Sequence, residues 1–138
     1  MPLRVLSIAL GVFLLFMGLD KLDWFVDGGA FLTRRLEEWR GTARPMVRWY
    51  LETIAIPGAP VFARIVPLAE LSAAAALILA FYVRWAAALV MLMVINFHFA
   101  ADIIFRYDYL INAYGLPILG GLAALALNGK KLPMSLAR

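Results

Sequence analysis

Apolar residues run almost unbroken through four stretches of the chain, 3–22, 61–82, 85–105 and 110–127. Each approaches the roughly 20 residues a helix needs to cross the hydrocarbon core of a bilayer. Between the first two the pattern changes. Phe31, Leu32, Leu36 and Trp39 share one helical face, with Arg34, Arg35, Glu37 and Glu38 elsewhere. After Pro45, the residues Met46, Trp49, Tyr50 and Ile54 repeat that pattern. Helices of this kind, rich in Trp and Arg, lie along a membrane surface. Asp27-Gly28-Gly29, Pro57-Gly58-Ala59-Pro60 and Asn128-Gly129 punctuate the runs, since Gly and Pro break regular helix. The pattern predicts an all-α integral membrane four-helix bundle. Interfacial amphipathic helices over 30–56 would cap one of its ends, and the whole forms a single transmembrane domain, 1–138.

Composition agrees with a bilayer environment. Hydrophobic residues make up 64% of the chain and the mean hydropathy is +0.86, against about 45–50% apolar residues in soluble domains. There are no cysteines, which excludes disulfide scaffolds, thiol redox chemistry and thiolate metal sites within this chain. The net charge of +4 comes from scattered Lys and Arg. That arrangement fits an anionic lipid surface and gives nucleic-acid binding no support. The run 5–19 after Arg4 carries no small-residue cleavage site and reads as a retained span. Ser7, Gly11 and Gly18 place small residues where a helix can approach it closely.

The polar residues inside the spans are few. His98, Asp102 and Arg106 are spaced i, i+4, i+8, so on one continuous helix they form a single stripe, and His98 is the only histidine. Glu70 lies deep in the second stretch. Alternating passage puts the end of span 1, the start of span 2, the end of span 3 and the start of span 4 on one side. At about 1.5 Å per residue, Glu70 lies roughly 14 Å below that surface, His98 about 10 Å and Asp102 about 5 Å. Lys21, Arg106 and Asn112 sit at the surface itself. The opposite half is apolar apart from Ser7, Arg4 and Arg84. The expectation is a half-membrane polar pocket of Glu70, His98, Asp102, Arg106, Lys21 and Asn112, in which Glu70 meets His98. It is not a channel, because the other half offers no polar path. One histidine with scattered carboxylates is a weak metal site. The trio reads as a structural network or as a proton-handling site for a quinone headgroup, and quinone is the one cofactor it suggests. Membrane lipids, other membrane subunits or further copies of the chain are the expected partners.

Gly18-Leu19-Asp20-Lys21-Leu22 closing span 1, Glu70 opening a long apolar run, and Arg84-Trp85-Ala86-Ala87 entering span 3 resemble the DoxX family of small four-span bacterial membrane proteins. His98 late in span 3 also fits. The resemblance covers most of the chain. It departs in lacking glycines around Ala75 and Ala80 and in its long first connection. It implies a bundle in the bacterial inner membrane with both termini cytoplasmic. It also implies a link to quinone chemistry, since founding members are associated with a thiosulfate:quinone oxidoreductase, while many others are accessory proteins. The positive-inside rule points the other way: six Lys and Arg lie between Lys21 and Arg48, against three in the tail. The orientation expected here follows the family.

Overall fold

The computed structural model describes residues 1–129 and 132; the basic tail beginning at Lys130-Lys131 lies outside them. Three helices are long and apolar enough to cross a membrane: α1 (Pro2–Asp20), α4 (Ala59–Ile78) and α5 (Val83–Ala100). Between α1 and α4 lie α2 (Ala30–Thr42) and α3 (Pro45–Tyr50). A last apolar helix, α6 (Leu116–Asn128), has 13 residues and is therefore about 20 Å long, short of a core of about 30 Å.

Three predicted spans differ at an end in the structure; the second, expected to reach Tyr82, stops at Ile78. The third, expected to reach Phe105, stops at Ala100. Asp102 takes a left-handed φ of 54°, its N–H reaches the Phe99 carbonyl, and the Ile103 N–H reaches the His98 carbonyl at 3.2 Å. This is a Schellman ending with aspartate in the place usually held by glycine. The fourth, expected from residue 110, begins its helix only at Leu116. Residues Tyr107–Ile111 form a 3-10 turn instead, and Asn112 Oδ1 accepts the Tyr114 N–H at 2.8 Å. Pro117, whose fixed φ suits the first helical turn, then starts α6.

The apolar helices pack as two tight pairs, α1 with α4 and α5 with α6. Glycine makes the first pair close. A β-carbon on Gly11 would lie 2.7 Å from Ile78 Cγ1 and 3.1 Å from the Ala74 carbonyl, and one on Gly18 would lie 2.8 Å from Leu71 Cγ. Lipid tails are as apolar as leucine, so such contact, rather than expulsion of water, holds helices together in a bilayer. Leu10, Leu14, Leu77, Val90, Leu122 and Leu125 fill the common core.

At the end where the chain begins, each pair is closed by an arginine. Arg4 donates to the Leu77 and Ile78 carbonyls (3.1 and 2.7 Å) and Ser7 to Leu77 (2.6 Å), covering the last turn of α4. Arg84 Nε donates to the Ala126 carbonyl of α6 at 2.9 Å. Cations at helix C-termini satisfy unpaired carbonyls and oppose the negative end of the helix dipole.

The connection between α1 and α4 is helical, as its amphipathic pattern predicts. Asp27 starts α2 by accepting the Gly29 and Phe31 N–H groups. Leu32 and Leu36 are buried as expected, whereas Phe31 is exposed and Trp39 half-buried. In the next segment the buried face differs from the predicted one. Met46, Trp49 and Ile54 point outward, and the buried stripe is Ala43, Val47, Leu51 and Ala55, continued by Ala59 and Ala63 of α4. A four-residue repeat drifts around a regular α-helix of 3.6 residues per turn. The π-turn over Leu51–Ala55, with the Ile56 N–H bonded to the Leu51 carbonyl, widens the winding and keeps the stripe facing inward.

Candidate functional site

The strongest polar contact joins the first helix pair. Lys21, just past the end of α1, places its Nζ 2.8 Å from both Glu70 oxygens and 3.2 Å from the Met17 carbonyl. All three ammonium protons thus have acceptors. The Trp24 ring lies against the same ammonium, 5.9 Å from its centroid. Glu70 is buried at 5% exposure, and a buried carboxylate of this kind requires such a partner.

This pairing changes the depth expected from counting residues. Gly18, near the end of α1, packs on the Glu70 β-carbon, so Lys21 and Glu70 lie at nearly the same level. The first turns of α4 rise beyond α1 and are enclosed by α2 and α3, where Ala59 and Ala63 join the cluster of Leu36, Val47 and Leu51. Distance along α4 from its start is therefore not depth below a surface.

His98 has a partner that the stripe did not suggest. Its Nδ1 is 2.7 Å from the Tyr109 hydroxyl, and the two rings meet edge to face at 5.3 Å. Tyr109 is buried in the 3-10 turn, and that burial raises its hydroxyl above the ordinary phenol value of 10.0, so it stays protonated. When Tyr109 donates to Nδ1, the neutral imidazole carries its proton on Nε2; when Nδ1 is the donor, Nε2 is an acceptor. Either way, Nε2 is the nitrogen left for a ligand.

Asp102 and Arg106 lie apart from this pair, because α5 ends before them. Asp102 is buried, and its Oδ2 accepts the Arg44 N–H at 3.1 Å and lies 3.8 Å from Arg44 Nε. Its Oδ1 has no hydrogen-bond partner among the described residues. Arg106 donates to the Asp102 backbone carbonyl, not the carboxylate. These residues tie the α2–α3 corner to the end of α5. Asn96, also in the predicted stretch, accepts from the Tyr50 hydroxyl of the connection.

Among the described residues, no hydrogen bond or ion pair joins Glu70 to His98. They instead line one cavity of about 320 Å³, together with Lys21 and Asn112. Phe13 and Met17 of α1, Met93 and Phe97 of α5, and Ile118 of α6 supply its apolar walls. Four of the six expected residues thus share a cavity, while Asp102 and Arg106 brace the structure beside it. Tyr109 and Arg44 escaped the sequence reading because neither lies within an apolar span. Their only signals were a tyrosine beside a predicted turn and an arginine before a helix-starting proline. No group of three His, Cys, Asp or Glu side chains suited to a metal occurs among the described residues. What the arrangement offers is hydrogen bonding and proton exchange inside an apolar wall.

No curated protein and no solved structure shows significant similarity to the chain. A sequence model of the DoxX family matches residues 3–102, most of the length. This stretch includes Gly18, Lys21, Glu70, Arg84 and His98, and with the apolar helices it makes the chain a membrane protein of the DoxX family.

Proposed function

We propose that this protein is a small subunit of a quinone-linked redox complex in the bacterial inner membrane, and that the cavity of Glu70, His98, Lys21 and Asn112 receives a quinone headgroup. One observation carries this reading: the Lys21–Glu70 ion pair and the imidazole of His98, itself held by the Tyr109 hydroxyl, line the same largely apolar cavity. A quinone carbonyl needs a hydrogen-bond donor on oxidised binding and a proton when reduced. His98 Nε2 supplies the first, and the Tyr109 contact lets the imidazole exchange a proton without leaving its place. The Lys21 ammonium is neutralised by Glu70, so the pair brings polarity to the cavity without an uncompensated charge. The start of α1 and the end of α6 lie at the end of the bundle closed by Arg4 and Arg84, which supports placing both termini on one side, taken in this reading as the cytoplasmic one. Solvent extraction of the detergent-purified protein tests the reading. Quinone near one per chain in the wild type, and its loss in His98→Ala, is the expected result; no quinone in either overturns it.

The same contacts favour a second reading, a non-catalytic accessory subunit. Lys21 and Glu70 satisfy each other completely within the chain, which is what a lock between α1 and α4 requires. A stoichiometric partner protein recovered without quinone would select it.

A further inference from the structure

A second space lies between α4 and α5, a groove of about 600 Å³ that the quinone reading does not use. The two helices are joined by a tight turn, with Ala80 and Tyr82 both at positive φ. Yet each packs chiefly on another helix, α4 on α1 and α5 on α6, so they part like a wedge. On α4 the groove is floored by Ala69, Ser72, Ala73 and Ala76, small residues at the spacing that elsewhere admits a neighbouring helix. None of the described helices fills it. Leu89 and Trp85 of α5, both largely exposed, form its outer lip.

Dimensions decide what fits. From Trp85 to Ala100 the groove runs along about 22 Å of α5, at 1.5 Å per residue. That length, with about 600 Å³ of free space between apolar walls, suits one extended hydrocarbon chain lying along the helices. The groove adjoins the polar cavity: Met93 and Phe97, one turn apart on α5, line both spaces, so their side chains stand between the two.

Building on the quinone reading, we infer that the α4–α5 groove holds the apolar tail of the same molecule whose headgroup occupies the cavity, the tail passing between the helices at Met93 and Phe97. The preferred ligand is then a long-chain quinone taken up sideways from the bilayer, and a short, water-soluble quinone binds without using the groove.

The test measures binding of two probes to the detergent-solubilised full chain, a ring-only benzoquinone and the same ring bearing a ten-carbon chain. The variants are Ala76→Leu, which fills the floor, and Leu89→Trp, which narrows the exposed lip and leaves the core intact should the first not fold. The wild type should bind the tailed probe at least tenfold more tightly than the ring. Each variant should lose most of that advantage and keep its affinity for the ring. Unchanged affinity for the tailed probe in both variants overturns the groove assignment while leaving the quinone reading in place. So does loss of co-purified phospholipid with quinone binding intact, which would make the groove a lipid site. Failure of the wild type to bind either probe overturns the quinone reading and this inference with it.

Discussion

The two ends of the bundle place their polar side chains differently. Where the chain begins, Arg4, Ser7 and Arg84 donate to main-chain carbonyls at the ends of α4 and α6. At the other end, Lys21 meets Glu70 and His98 meets Tyr109, side chain to side chain, and Lys21, Glu70 and His98 line a cavity. A charged residue in an apolar helix is therefore not by itself a sign of a site. When it faces the last turn of a neighbour it closes a helix. When polar side chains face each other across a space, the space inherits their chemistry.

The largest expected effect breaks the second kind of contact. Lys21→Met leaves a carboxylate buried without its cation and should cost about 3–5 kcal/mol in unfolding measured in detergent. Lys21→Met with Glu70→Leu should recover most of that loss. A double variant as weak as the single one would mean that the pair is not a unit.

Arg4→Met tests the first kind. Ser7 still covers the Leu77 carbonyl, so the variant uncaps that of Ile78; this should cost about 1–3 kcal/mol and leave ligand affinity at the cavity unchanged. A change in affinity would erase the distinction between the ends.

The cavity pairs themselves can be separated by double-mutant cycles. Tyr109→Phe and His98→Ala should be coupled by about 1 kcal/mol, the net worth of their hydrogen bond. Glu70→Gln and His98→Ala should instead add within about 0.5 kcal/mol, since each residue has its own partner. Strong coupling between Glu70 and His98 would restore the direct contact first expected from their depths.

The smallest effect is expected at the closed end. Ala80 holds a φ of 55° in a Schellman ending, with the Phe81 N–H bonded to the Ala76 carbonyl. Ala80→Gly should relieve about 1 kcal/mol of left-handed strain against a buried methyl worth nearly as much. The melting temperature should therefore rise by a degree or two at most, and a clear fall would show that the methyl contact dominates.

By itself the sequence determined that the chain is helical and membrane-bound. It also determined that α1 approaches its neighbour through Gly11 and Gly18, that the first connection is amphipathic, and that Glu70, Lys21 and His98 gather in one half. Each follows from the period of apolar positions or from the cost of a polar group in lipid, and both are local properties. Only the tertiary structure decided the partners. The i, i+4, i+8 stripe assumed a helix continuing through Arg106, but Asp102 turns left-handed and α5 ends at Ala100. The depth of Glu70 assumed that all spans start at one level, but α4 begins among α2 and α3, so Lys21 reaches a residue counted as far below it. The buried face of the second amphipathic segment moved to Val47 and Leu51 because a π-turn reset its winding. Periodicity states which residues share a face. Which face meets which, and where a helix stops, depends on contacts between residues distant in the chain.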